Sequence, residues 1–153
     1  MRRLRNRTMC VIAVIAPMTL TGCLTAAQPD PDIITQADGI HSEAVSFFSN
    51  LASKQAPDCG FAANAAAYDH LSQLADKLRS HIAAKNGSAV MLTATDALAK
   101  TITDSKTSHQ LASARTDDPN GLCMAPGAIV LNSDAISRAS DAISNTQKTN
   151  GGK

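Results

Sequence analysis

The amino-acid sequence predicts an all-α protein, folded as an antiparallel four-helix bundle with up-down-up-down topology. Four stretches beyond residue 31 repeat apolar side chains at alternating steps of three and four residues, which places them on one face of a helix. No stretch alternates apolar and polar residues over the length of a strand. Aromatic residues form only 3% of the chain and small side chains dominate the rest, a composition that favours closely packed helices.

The first 22 residues have the pattern of a signal peptide. Four arginines before residue 8 precede an apolar stretch from Met9 to Leu20, which is too short to cross a bilayer core of about 30 Å. The stretch ends in Leu20-Thr21-Gly22-Cys23, which resembles the lipobox of bacterial lipoproteins. The resemblance implies that the Cys23 sulfur receives a diacylglycerol, that the chain is cut before Cys23, and that the new amino terminus receives an acyl chain such as palmitate. The alternative is an ordinary secretory signal with a chance cysteine.

Residues 23–31 are predicted to form a lipidated cysteine followed by a short tether. This segment is small and polar, and its two prolines favour an extended backbone. The residue after Cys23 is Leu24 rather than the Asp that resembles an inner-membrane retention signal. We therefore expect a lipid-anchored protein of the cell envelope, located on the outer membrane if the host has two membranes.

The bundle itself is predicted to span residues 32–148, and its first two helices have unbroken apolar seams. Helix one runs from about Asp32 to Lys54, and its seam consists of Ile33, Ala37, Ile40, Ala44, Phe47 and Leu51. Helix two runs from about Ala62 to Lys85, with Asn86-Gly87 as its stop signal. Its seam consists of Tyr68, Leu71, Ala75, Leu78 and Ile82.

The last two helices are less regular. Helix three begins after Ser88, a favourable N-cap, and reaches about Ala114. Its seam turns polar halfway along and consists of Met91, Ala94, Leu98, Ile102, Ser105, His109 and Ala112. Helix four is predicted from Asn132 or Ser133 to Gln147, with Ile136, Ala139 and Ile143 inward. Residues 128–131 can be a first helical turn or an extended plug, and residues 149–153 are predicted to be a disordered tail.

Two cysteines remain for the folded domain, Cys59 and Cys123, because Cys10 leaves with the signal and Cys23 is lipidated. In the envelope they can form a disulfide that closes a loop of about 64 residues and stabilises the fold by about 4 kcal/mol. A redox-active thiol or a metal-binding pair is the alternative, but neither cysteine lies in a C-x-x-C motif. In an up-down-up-down bundle, the connections after helices one and three lie at the same end, and each contains one of these cysteines. The disulfide is therefore expected between these two loops, at the end away from the lipid.

Composition and charge exclude some classes of function. Four of the fourteen Lys and Arg lie in the signal, so the mature chain has ten against thirteen Asp and Glu, a net charge of about −3. The chain has no basic patch or aromatic platform, so we expect no nucleic-acid partner. Three segments of the chain resemble parts of small helical envelope lipoproteins of unassigned function: residues 56–59, 64–69 and 123–129. That resemblance implies no catalytic residue.

Motifs that carry chemistry are sparse. No two of the four histidines are three or four residues apart, which is the spacing of many helical metal sites, so we expect no metal and no cofactor. Residues 116–121 lack the first Asp and the closing Glu of a calcium-binding loop. The serines lie outside the G-x-S-x-G and S-x-x-K motifs, and Glu43 is the single glutamate of the chain. We therefore predict no catalytic residue and no enzymatic activity.

Two groups of residues are candidate sites. The candidate interaction surface lies at the disulfide-bonded end of the bundle, although a simple capped end is the alternative; it consists of Phe61, Tyr68, Arg115, Asp117 and Met124. Ser105 and His109 form the candidate ligand pocket, and a hydrogen-bonded core histidine is the alternative. The sequence favours a membrane-anchored envelope lipoprotein that acts as a non-enzymatic interaction or assembly module for an envelope protein partner. A small-ligand or metal-binding helical bundle, in the periplasm or at the cell surface, is the alternative function.

Overall fold

The protein folds as a bundle of four α-helices in a computed structural model, which describes residues 28–85, 87–115 and 122–150. The helices are α1 (Pro31–Ser53), α2 (Phe61–Ala84), α3 (Ala89–Ser113) and α4 (Pro126–Asn150). Within these three ranges there is no β-strand, so the prediction of an all-α fold is confirmed. The predicted signal peptide, the predicted lipidation site Cys23 and the first half of the predicted tether lie outside the described residues, as do residues 116–121 and 151–153.

Local signals in the sequence explain where the first three helices begin and end. The Asp30 carboxylate accepts a hydrogen bond from the backbone N–H of Asp32 at 2.9 Å, which caps α1 at its start. Ser88 caps α3 as predicted, because its hydroxyl oxygen accepts a hydrogen bond from the Met91 N–H at 3.3 Å. Helix α2 ends at Ala84, close to the predicted bound.

Gly87 is required by a close approach of the chain after α2. Its N–H donates to the carbonyl oxygen of Ile82 at 2.8 Å, which satisfies one of the last acceptors of the helix. A Cβ atom at position 87 would lie 2.7 Å from that same oxygen. The predicted stop signal therefore acts through contact of residue 87 with Ile82. Asn86, the other half of that signal, lies outside the described residues.

Helix α4 is longer than the sequence pattern predicted at both ends. It begins at Pro126 rather than at residue 132 or 133, so residues 128–131 form helix and not an extended plug. Proline fits the first helical turn because its missing N–H has no partner there. The Ala125 carbonyl accepts hydrogen bonds from Ala128 and Ile129, at 2.9 and 3.0 Å, and Ile129 is buried. The helix also includes Thr149 and Asn150, which the sequence had assigned to the tail.

The four helices pack in a ring around one apolar core. Helix α1 contacts α2 and α4, and α3 contacts the same two helices. The predicted seams are buried with three shifts of one residue: Phe48 rather than Phe47 fills the core from α1, Thr95 rather than Ala94 from α3, and Ser140 rather than Ala139 from α4. All three shifts fall at steps where the period of about 3.6 residues allows either neighbour to face inward. The remaining residues of these three seams are as predicted, except that Ala112 is only partly buried.

A disulfide joins Cys59 to Cys123, as predicted, with the two Cα atoms 5.0 Å apart. Cys59 is buried, whereas Cys123 is partly exposed. In the described part of the chain, no helix is long and apolar enough to span a membrane.

Candidate functional site

A disulfide and several hydrogen bonds join the residues around Cys59 and Cys123, which we call the disulfide region: Cys59–Phe61, the last turn of α3 and Leu122–Met124. The Ser113 hydroxyl donates a hydrogen bond to the Leu122 carbonyl oxygen at 2.8 Å and accepts one from the Phe61 N–H, also at 2.8 Å. One side chain of α3 therefore ties the start of α2 to the segment that precedes α4. Together with the disulfide, this contact fixes the backbone on both sides.

His109 connects the disulfide region to the core through two buried hydrogen bonds. Its Nε2 lies 2.8 Å from the Cys59 carbonyl oxygen and its Nδ1 lies 3.1 Å from the Tyr68 hydroxyl oxygen. A carbonyl oxygen can only accept, so Nε2 carries the proton, and the neutral Nδ1 accepts from the Tyr68 O–H. Burial lowers the pKa of His109, against the opposing effect of the hydrogen bond to Cys59. The geometry thus holds a neutral imidazole whose two nitrogens are both satisfied.

Aromatic rings enclose this pair of hydrogen bonds. The Tyr68 ring lies edge-on to Phe47, with ring centroids 4.9 Å apart, and Phe61 stacks on Tyr68 at 6.1 Å. Burial raises the pKa of the Tyr68 hydroxyl well above its usual range, so this group acts as a hydrogen-bond donor. The cluster is therefore a packed polar core, and it explains why a histidine occupies the inner face of α3.

Asn64 is a buried polar residue that the sequence interpretation missed. Its side-chain amide donates to the carbonyl oxygens of Asp58 and Gly60, at 2.8 and 2.7 Å, and its Oδ1 accepts from the Lys54 ammonium at 2.9 Å. Asn64 thereby holds the segment between α1 and α2 against the first turn of α2. The signal was present in the sequence, because Asn64 lies one turn before Tyr68 on the same seam.

The structure supports only part of the candidate interaction surface. Tyr68 and Met124 are buried, so neither presents a surface to a partner, and this corrects the prediction for both residues. Phe61 is partly buried against the core, Arg115 is exposed, and Asp117 lies outside the described residues. The exposed apolar side chains nearby are instead Leu111, with 65% of its surface accessible, and Leu122, with 38%.

Ser105 and His109 do not line a ligand pocket of the kind that the sequence suggested. Both residues are buried, and the Ser105 hydroxyl donates to the carbonyl oxygen of Thr101 at 2.9 Å. Because His109 is also fully hydrogen-bonded, the polar half of the α3 seam is a satisfied core rather than the wall of a cavity. This corrects the predicted pocket and supports the alternative of a core histidine.

Two adjoining cavities lie instead between α1 and α4. The larger, about 510 Å³, adjoins the disulfide and is lined by Leu51, Ala52, Lys54, Gln55, Ala56, Cys59, Cys123, Met124, Pro126 and Ile129. The smaller, about 220 Å³, is lined by Val45, Phe48, Ser49, Ala52, Ile129, Val130, Ser133 and Asp134. Ala52 and Ile129 line both cavities, and we call the two together the α1–α4 groove.

One group of side chains has the composition of a metal site. Asp30, Asp32 and His81 each place a potential ligand atom within 4.8 Å of the others. However, the Asp30 carboxylate already caps α1, and the Lys85 ammonium lies 3.7 Å from it. Burial acts to raise the pKa of Asp30, but hydrogen bonds from Asp32 and His81, together with the charge of Lys85, hold it below its ordinary value. Helix capping and charge pairing account for the arrangement.

The two remaining histidines also face carboxylates on neighbouring helices. His41 lies 2.9 Å from Asp141, and His70 lies 3.0 Å from Glu43, so each pair joins α1 to another helix. These pairs therefore have a role in packing.

No protein-family model matches the chain, and neither the curated proteins nor the solved structures gave a significant match to it.

Proposed function

We propose that this protein is a lipoprotein of the bacterial cell envelope that acts as a non-enzymatic interaction or assembly module. The Leu20–Cys23 segment supports the lipid anchor, and the absence of Asp after Cys23 favours the outer membrane where the host has two. An acylated amino terminus with two or three chains holds a protein on a membrane far more firmly than a single chain does. The folded domain then remains next to the membrane surface, on a short tether.

The observation that carries this proposal is the exposure of two leucines next to the fixed backbone of the disulfide region. Leu111 lies two residues before Ser113 and is 65% exposed, and Leu122, whose carbonyl oxygen accepts from the Ser113 hydroxyl, is 38% exposed. Exposed apolar side chains on a well-fixed backbone are typical of surfaces that bind another protein, because little ordering is needed when the partner docks. We expect the partner to be an envelope protein.

We also propose that the bundle has up-down-up-down topology, with the disulfide joining the α1–α2 and α3–α4 connections at one end. Charged pairs between helices support this arrangement. Asp69, early in α2, faces Lys106, late in α3, whereas Arg79, late in α2, faces Asp96, early in α3. The same reversal relates α1 to α2, where Glu43 pairs with His70 and Asp30 with His81, and this supports opposite directions for these two helices.

The anchor is tested by replacing Cys23 with serine in the native host. The variant should leave the membrane fraction, because serine has no sulfur to receive the diacylglycerol, and its helical content should be unchanged once it is purified. Cys10→Ser is the matched control, since it removes a cysteine from the signal without touching the lipidation site. If Cys23→Ser remains membrane-bound through the same washes, the lipid anchor is wrong.

The interaction surface is tested with a photo-crosslinking amino acid placed at Leu111 or at Leu122 in living cells. We expect a discrete protein adduct from both positions, which Leu111→Asp should reduce when the probe is at Leu122. Val90 is a matched control position, because it is 68% exposed and lies at the start of α3, far along the helix from Ser113. Equal adducts from Val90, or none from Leu111 and Leu122, would contradict the proposed surface.

A further inference from the structure

We propose that the α1–α4 groove binds a free fatty carboxylate, with its head at Lys54 and its acyl chain along Phe48. This site is distinct from the Ser105 and His109 pocket suggested by the sequence and from the surface at Leu111 and Leu122. It would give the protein a small-ligand activity in addition to partner binding.

The part of the groove beside Phe48 is suited to an acyl chain. Its floor is formed by Phe48 and Ile129, which are buried, and its two rims carry Val45 and Val130, which are 42% and 63% exposed. Ala52, whose side chain is small, lines both cavities where they adjoin. An acyl chain lying here would remove the exposed faces of both valines from water, which is the main driving force for burying apolar surface.

The other end of the groove is polar and positively charged. The Lys54 ammonium is held at the cavity by its hydrogen bond to Asn64 at 2.9 Å, and an ammonium can donate two further hydrogen bonds. Among the ion pairs of the described residues none involves Lys54, so no carboxylate of that part of the chain neutralises it. The first turn of α4 at Pro126 lines the same cavity, and the amino end of a helix carries partial positive charge. Both features favour an anionic head group.

The dimensions of the groove favour one chain over a lipid with two chains or a partner helix. Val45 lies eight residues before Ser53, the last residue of α1, or about 12 Å at 1.5 Å per residue, and Lys54 follows directly, so a medium-length acyl chain would extend from Val45 to Lys54. The apolar cavity has a volume of about 220 Å³, which leaves no room for a second chain. A partner helix, with a diameter of about 10 Å, would rest on the rims and leave the floor unfilled.

The test uses the full-length lipidated protein in vesicles of neutral phosphatidylcholine, with a photoreactive dodecanoate as the probe. We expect adducts on peptides that contain residues 45–52 and 129–134. Unlabelled dodecanoate should suppress labelling at a concentration at least tenfold lower than dodecanol, which has the same chain without the charge. Ala52→Phe should reduce labelling at least tenfold by filling the groove, whereas Ala97→Phe, at an exposed position on α3, should leave it unchanged.

The role of Lys54 is tested by one variant that removes its positive charge and one that keeps it. Lys54→Met should lose the preference for dodecanoate over dodecanol, Lys54→Arg should keep it, and Lys100→Met should behave as the wild type. Thermal unfolding of each variant identifies any that has lost its fold. Labelling outside the groove, equal competition by dodecanol, or wild-type labelling of Ala52→Phe would overturn the proposal. The proposal would also be overturned if a crosslinker at Val130 gave a protein adduct that dodecanoate does not displace. Loss of adducts at Leu111 would instead contradict the proposed partner surface and leave the groove proposal standing.

Discussion

Breaking the Cys59–Cys123 disulfide should remove a large share of the free energy of unfolding. The bond joins residues 64 positions apart, and the chain-entropy relation for a loop of that length gives about 4 kcal/mol at 25 °C. A domain of this size has a total stability of about 5–15 kcal/mol. Cys123→Ala is the cleanest perturbation, because Cys123 is partly exposed and the buried Cys59 keeps its packing as a free thiol. Cys59→Ala should cost more, since it also removes a buried sulfur from the core.

The assay is urea unfolding followed by far-ultraviolet circular dichroism, with the wild type measured before and after treatment with a dithiol. We expect the reduced wild type and Cys123→Ala to have the same urea midpoint. The free energy of unfolding of both should be about 4 kcal/mol lower than that of the oxidised protein. The Ser113 contact should persist in both, because it does not depend on the sulfur atoms. The assignment of this stability to the crosslink would be refuted if the free energy of unfolding fell by less than about 1 kcal/mol. Different urea midpoints for the reduced wild type and Cys123→Ala would refute it as well.

Three further predictions follow from named contacts. Tyr68→Phe should lower the free energy of unfolding by about 1–3 kcal/mol, because it leaves the buried Nδ1 of His109 without a donor; a change within error would contradict the hydrogen bond. Since burial lowers the pKa of His109, the unfolded chain takes up a proton at higher pH than the folded one, so stability should fall as the pH drops below about 6.5. His109→Gln, which can keep both hydrogen bonds, should show a smaller loss in the same titration, and an identical pH profile would disprove the role of His109. Gly87→Ala should destabilise the protein by about 1–3 kcal/mol through its contact with Ile82, whereas Gly127→Ala, where a Cβ meets nothing within 4 Å, should not, as a thermal melt of both would establish.

Helix periodicity predicted most of the fold because it depends on local sequence. The bounds of α1, α2 and α3 lie within one residue of the predicted ones, and the predicted seam of α2 is buried throughout. The start of α4 was missed because Pro126-Gly127 is a common turn former when it is considered alone. Burial of Ile129 against the rest of the bundle stabilises helix there, and that contact is tertiary.

The candidate site was harder to predict than the fold. Tyr68 was assigned both to a buried seam and to a binding surface, and periodicity was the better guide. The hydrogen bonds of His109 join residues that lie 41 and 50 positions away in the chain, so no local pattern could indicate them. The α1–α4 groove is likewise defined by the spacing between two helices and by small side chains such as Ala52, which have no signature in the sequence.

The position of the disulfide also determines the outcome of a proteolytic cut in the chain. Arg115 is exposed and offers a cleavage point to a trypsin-like enzyme, and Cys59 precedes this point while Cys123 follows it. A cut after Arg115 would therefore divide the chain into two polypeptides that stay covalently joined. The piece that contains α4 would not be shed from the other three helices, and the cut would be visible only after reduction, as two bands on a gel.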